Sequence, residues 1–82
     1  MDFKEASERV TQLKKRPDND TLLKLYGLFK QASEGDVKGQ RPGIIDFKGR
    51  AKYDAWKSRA GMSTDEARTQ YVRLVQDLVA RD

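Results

Sequence analysis

Residues 25–58 read LYGLFKQASEGDVKGQRPGIIDFKGRAKYDAWKS, and the way this stretch divides decides the fold. Its first part continues a stripe of Leu22, Leu25, Phe29 and Ala32, spaced three or four residues apart, which is one face of a helix. Gly35 stands where such a helix would end in a left-handed residue, and Asn19 or Asp20 is placed to cap its start. The spacing therefore predicts a helix over residues 20–34. The next segment, GDVKGQRPGIID, holds three glycines and a proline and cannot continue it. Asp46 then caps a short helix in which Phe47, Ala51 and Ala55 share a face and which Gly61 ends.

Working outward, Phe3, Ala6, Val10 and Leu13 fall on one face of an N-terminal helix. Asp2 followed by Glu5 opens it as a capping box, and Pro17 stops it. Ser63 with Glu66 repeats the capping pattern before Ala67, Tyr71, Val75 and Leu78, the stripe of a fourth helix. No segment alternates as a strand does, and there are no repeats or low-complexity tails. The expected class is a small all-α four-helix bundle, residues 1–82 forming a single domain. The long loop between helices two and three is able to span the bundle, so simple up-down-up-down order is not required.

Eighty-two residues bury only roughly two thirds of their unfolded surface, so such a fold must pack efficiently. The chain has no cysteine, which excludes disulfides, a thiol nucleophile and thiolate metal sites, and no histidine. Without either residue the common general base and the strongest nucleophile are missing, and no glycine-rich phosphate loop is present. The carboxylates lie at helix starts and exposed positions, where capping and solubility explain them. A non-catalytic binding module with no cofactor and no metal is expected. No apolar run approaches the ~20 residues of a membrane span, and the N-terminus is charged from its second residue. The expectation is a cytoplasmic protein without stable membrane insertion.

Charge is distributed unevenly. The chain has 17 Lys plus Arg and 13 Asp plus Glu, and residues 41–59 account for the whole net charge of +4. Rings are interleaved there: Lys48, Lys52 and Trp56 are successive i, i+4 neighbours, while on the preceding helix Tyr26, Phe29 and Lys30 lie within one turn. Each helix thus presents a ring beside an ammonium. Amphipathic core packing of Tyr and Trp, with lysine stems laid on them, is the structural alternative.

Taken together, residues 25–58 resemble the acyl-CoA-binding protein family, whose pattern runs from an aromatic-Lys-Gln-Ala segment through Gly-Asp and Arg-Pro-Gly to a Lys-rich helix ending in Asp-Ala-Trp. The likeness covers nearly the whole chain, with Phe3, Val10 and Leu13 fitting the first helix and STDEARTQYVRLVQDL the last. It implies an up-down-down-up bundle that carries medium- to long-chain acyl-CoA thioesters without cleaving them, as a monomer in transient contact with enzymes that use them. Tyr26, Lys30, Lys52 and Tyr71 then match the positions that grip the adenosine 3′-phosphate and adenine, with Phe29 and Lys48 beside them. Three departures stand out: Tyr53 where Trp is usual, Phe29 where Tyr is common, and Thr11 where several members have Lys. The acyl chain asks only for apolar surface, for which Phe3, Ala6, Leu22 and Leu23 are candidates.

Two rival readings follow from the same residues. Basic side chains among rings suit a surface for single-stranded nucleic acid, but the basic stretch is short, carries Asp46 and Asp54, and lacks the arginine density of a groove reader. A helical protein-interaction module would need an exposed apolar patch that survives saturation with ligand.

Overall fold

The computed structural model describes all residues 1–82 and contains four α-helices and no strand: α1 Phe3–Arg9, α2 Asn19–Glu34, α3 Phe47–Lys57 and α4 Thr64–Arg81. Three of the expected caps form. Asp2, Asp46 and Ser63 accept from the backbone N–H groups of Glu5, Gly49 and Glu66 at 2.7, 2.9 and 3.0 Å. The glutamates of the two capping boxes reach forward instead, Glu5 towards Arg9 and Glu66 to the Gln70 amide. The cap of α2 is Asp18, which accepts from Thr21 N–H at 2.8 Å, so the helix begins at Asn19, ahead of the start that either Asn19 or Asp20 as cap would set. The first helix departs more: its α-form ends at Arg9, and Val10–Gln12 tighten into a 3-10 turn well before Pro17.

Pairwise packing fixes the order of the helices. Backbones of α2 lie against α3 on one side and α4 on the other, and α1 lies against α4. Phe3 meets Tyr71, and Lys14 and Lys15 meet Asp82, so α1 and α4 run the same way. Tyr26 meets Lys52 and Lys30 meets Trp56, so α2 and α3 also run the same way. Leu28 shares a hollow with Gln70 and Leu74 while Gln31 reaches Met62, so α2 opposes α4. The result is up-down-down-up. The molecule is a slab, 36 × 26 × 15 Å, and only ten of its residues are buried.

The core is correspondingly small. Ala6, Leu25, Leu28, Tyr71 and Val75 form its centre, joined by partly buried Phe3, Val10, Leu22 and Leu78. On α2 the buried stripe is Leu25, Leu28 and Ala32, and Phe29 stands 37% exposed at the edge. The reason is that α2 is covered from two sides and its buried face is turned between them. On α3 the expected core face fails: only Trp56 is buried, and Phe47 is 78% exposed.

Polar clamps do what the small core does not. The loop 35–46 returns along α3, whose side chains take its backbone in order. Trp56 Nε1 donates to Gly35 O, Tyr53 OH to Gly39 O and Arg50 Nε to Pro42 O, at 2.8, 3.0 and 2.9 Å. Arg41 adds a two-pronged ion pair with Asp54, 3.0 and 2.7 Å. Loop carbonyls are thereby satisfied without secondary structure. Fully buried Gln31 donates its amide to Asp36 and to Met62 O, and Asp36 also accepts from Gly61 N–H, fastening the loop to the α3–α4 turn. Gly35 and Gly61 both adopt positive φ, 79° and 88°, as chain reversal at those points demands.

Gly27 is the point of closest approach in the fold. A Cβ there would stand 2.4 Å from Ala55 O, on the backbone of α3. Gly27→Ala gains about 1 kcal/mol of helix propensity but overpacks a backbone contact that typically costs more, so net destabilisation of about 1–2 kcal/mol is expected in urea unfolding. An unchanged midpoint would show that the seam yields freely.

Stability should also depend on acid. Hydrogen bonds from Gln31 and Gly61 hold the Asp36 carboxyl below its ordinary 3.8, Arg41 does the same for Asp54, and the Lys14 and Lys15 amides for Asp82. A lowered folded-state value means that the stabilisation is complete above 3.8 and is lost as pH falls through the lower value. Thermal melts from pH 6 downward should show this loss, and Asp36→Asn should flatten part of it.

Candidate functional site

The α2–α3 seam is built on a pair of crossed contacts. Lys30 of α2 places its ammonium over the Trp56 ring of α3, 4.8 Å from the centroid, and Lys52 of α3 places its own over the Tyr26 ring of α2, 5.4 Å away. Parallel helices in close approach put these four side chains on one surface. Lys30 also hydrogen-bonds Glu34, one turn on, which holds its ammonium above the ordinary value. Tyr26 and Lys30 are half-buried and Lys52 is exposed, so the cations are open to an incoming anion.

Lys52 belongs to a second feature as well. With Arg16, Asn19, Leu22, Leu23, Phe47, Lys48 and Ala51 it lines a groove of about 450 Å³ between the start of α2 and the start of α3. Four of the eight lining side chains are hydrophobic, three are cations, and none is a carboxylate. Leu22 and Leu23 lie where an apolar path was expected. Ala6 does not line it, being buried in the core, and Phe3 faces elsewhere.

Phe3 instead joins a cluster of three rings across α1, α2 and α4. Its centroid is 5.5 Å from Phe29 and 5.2 Å from Tyr71, and Phe29 and Tyr71 are 5.8 Å apart. Tyr71 is only 3% exposed, and burial pushes its phenol up, so it stays a hydrogen-bond donor at any physiological pH. Phe29 is the ring of the three that the α2 surface presents. Of the six expected residues, Tyr26, Lys30 and Lys52 come together at the seam, Lys48 shares the groove with Lys52, and Phe29 and Tyr71 meet in the ring cluster.

Residues 1–75 match the model of the family described as Acyl CoA binding protein. The chain belongs to this family. It is 47% identical over 79 residues to the Acyl-CoA-binding protein homolog of Drosophila melanogaster, spanning 96% of this chain and 92% of the fly protein. The Acyl-CoA-binding protein of Brassica napus is 50% identical over 78 residues, 95% of this chain and 85% of the plant protein. Among solved structures, Oryza sativa Acyl-CoA-Binding Protein 2 superposes with a TM-score of 0.92 at 42% identity, covering 96% of this chain and 86% of that one. The yeast Acyl Coenzyme A Binding Protein gives 0.76 at 40% identity, with 96% and 92% covered. Both solved structures share the all-α fold.

Within this family fold the departures acquire local explanations. Thr11, in the 3-10 turn, donates its hydroxyl to Glu8 O at 2.7 Å and supplies no ammonium at this position. Tyr53 is occupied with Gly39 O and serves the loop. Sequence reading missed Arg16 and Phe47 as groove residues: Arg16 lies in a linker with no periodicity, and Phe47 fits a core stripe equally well. Glu34 was missed as well, although its i+4 spacing from Lys30 is the signal that finds it.

Trp56 and Lys52 should separate cleanly by substitution. Trp56→Ala removes a buried ring, its bond to Gly35 O and the platform under Lys30, and should cost about 3–5 kcal/mol in denaturant unfolding. Lys52→Ala loses an exposed cation–π contact and should cost under ~1 kcal/mol. Equal losses would contradict the division between scaffold and surface.

Proposed function

We propose that this chain, residues 1–82 acting as one unit, binds long-chain acyl-CoA thioesters and carries them chemically unchanged, as a monomer in the cytoplasm. The observation that carries the reading is the α2–α3 seam, where Lys30 and Lys52 flank Tyr26 beside an apolar groove free of carboxylates. The relatives support it, since they are named acyl-CoA-binding proteins at up to 50% identity across nearly the whole chain.

The chemistry of the ligand fits these parts. A 3′-phosphate carries about −1.5 to −2 charges, and cations converging from two helices suit it better than any single one. Lys30 and Lys52 supply them, with Lys48 placed for the pyrophosphate side. On binding, the phosphate takes the place Glu34 holds at Lys30. Tyr26 and Phe29 offer faces to adenine, while Tyr71 backs Phe29 and contributes its hydroxyl edge. The acyl chain lies along Leu22, Leu23, Phe47 and Ala51, each buried CH₂ worth about 0.8 kcal/mol. The ligand is a cargo and no cofactor is needed. The nucleic-acid reading loses support because Arg41 and Arg50 are engaged by Asp54 and Pro42, which breaks the basic track.

Titration calorimetry should show palmitoyl-CoA bound far more tightly than palmitate, which lacks the nucleotide. Lys52→Ala should weaken palmitoyl-CoA binding by about 1.5–3 kcal/mol, and an acyl-dephospho-CoA should lose at least ~1.5 kcal/mol. The two losses should not add, because a cation and a phosphate that meet each other share one energy. Full additivity would leave only diffuse attraction to a basic surface.

A further inference from the structure

The most exposed large apolar side chains stand together, and the core explains none of them while the groove explains Phe47 alone. Ile44 and Ile45 are 72% and 87% exposed, and Phe47 is 78% exposed. They stand at the turn where the loop enters α3, and this turn is held firmly. Asp46 N–H donates to Gly43 O at 3.0 Å, Asp46 Oδ1 caps Gly49, and Arg50 holds Pro42 O. The exposure is therefore built into an ordered turn. Isolated apolar residues on a surface are ordinary, but three large ones within four positions mark an interaction site.

Charge selects the partner. Of the five Lys or Arg in residues 37–53, Arg41 is paired with Asp54 and Arg50 is held by Pro42 O, which leaves Lys38, Lys48 and Lys52, and Asp46 is occupied in capping α3. Lys48 adjoins Phe47, and Arg16 and Lys52 continue the cationic collar around the groove. An apolar tip beside the groove cations Arg16, Lys48 and Lys52 complements a surface whose outer layer is anionic and whose interior is hydrocarbon.

We propose that Ile44, Ile45 and Phe47 form a docking tip that enters the interfacial layer of an anionic phospholipid membrane, with Lys48 set against the lipid phosphates. Phe47 is both part of the tip and part of the groove wall, so a docked molecule brings one end of its groove to the bilayer. An acyl chain then passes between membrane and groove over apolar surface. This last consequence rests on the acyl-CoA reading; the docking does not.

The full-length chain, free of ligand, should co-sediment with vesicles of equimolar phosphatidylcholine and phosphatidylglycerol, much less with phosphatidylcholine alone, and less as salt rises. The double variant Ile44→Ser/Ile45→Ser should reduce vesicle association at least about tenfold, with its melting curve and palmitoyl-CoA affinity unchanged. An Ile45→Trp variant should be quenched by lipids brominated in the acyl chains, while buried Trp56 should not. Wild-type vesicle binding by the serine variant, or an unquenched Trp at position 45, would overturn the proposal. So would a self-association of the free chain that the serine variant abolishes, since the tip would then join two copies. Failure to bind vesicles with palmitoyl-CoA binding intact would reject the docking and leave the carrier reading standing, and the reverse result would reject only the carrier.

Discussion

Two consecutive helices that run parallel need a connection long enough to travel back the length of the second, and nearly everything distinctive in this molecule follows from α2 and α3 meeting that demand. Gly27 lets the two backbones close until no Cβ fits between them. At that separation, parallel registry sets Lys30 over Trp56 and Lys52 over Tyr26, and the ammonium of each helix lies on the ring of the other. An antiparallel hairpin of the same two segments would pair residue 30 with the opposite end of α3 and disperse these four side chains.

The return path would be costly if left unfastened, because a loop laid on a helix exposes carbonyls that have no ladder to join. Here α3 supplies donors along its length, from Trp56 at one end to Arg50 at the other, and Gln31 with Asp36 locks the start of the loop to the turn before α4. This explains how a slab with ten buried residues keeps a defined shape. Hydrophobic burial unites α1, α2 and α4, and directional hydrogen bonds attach the loop to α3. The two kinds of force act on different halves of the molecule.

The same arrangement sorts the cations of residues 41–59, which look alike in sequence. Arg41 reaches from the loop to Asp54 of α3 and Arg50 from α3 to Pro42 O, so both are structural. Lys48 and Lys52 face the groove, where no carboxylate answers them. Exposed apolar residues are sorted too: Phe47 belongs to the groove wall, and Ile44 and Ile45 project beyond it. A single strand of sequence thus serves the fold, the ligand surface and the rim, each through a different face of α3 and its entry turn.

Much of this was determined locally. Caps at Asp2, Asp46 and Ser63, the end of α2 at Gly35, and the stripe Ala67, Tyr71, Val75 follow from backbone chemistry and helical spacing, which act within a few residues, whereas α3 stops at Lys57, short of the expected Gly61. Family resemblance implied a phosphate as the partner of Lys30 and Lys52, but not the rings they rest on. What only the tertiary structure decided is which neighbour each side chain meets. Periodicity placed Phe29 and Phe47 on apolar stripes, yet one lies at an edge and the other is mostly exposed, because a stripe says that a face is apolar and not whether another helix arrives to cover it. Gly27 carried the sharpest unread signal, a glycine inside a helix that local propensity disfavours. Its purpose, like the crossing of lysines and rings, exists only between elements distant in sequence, where the deciding quantity is the space left by a second backbone.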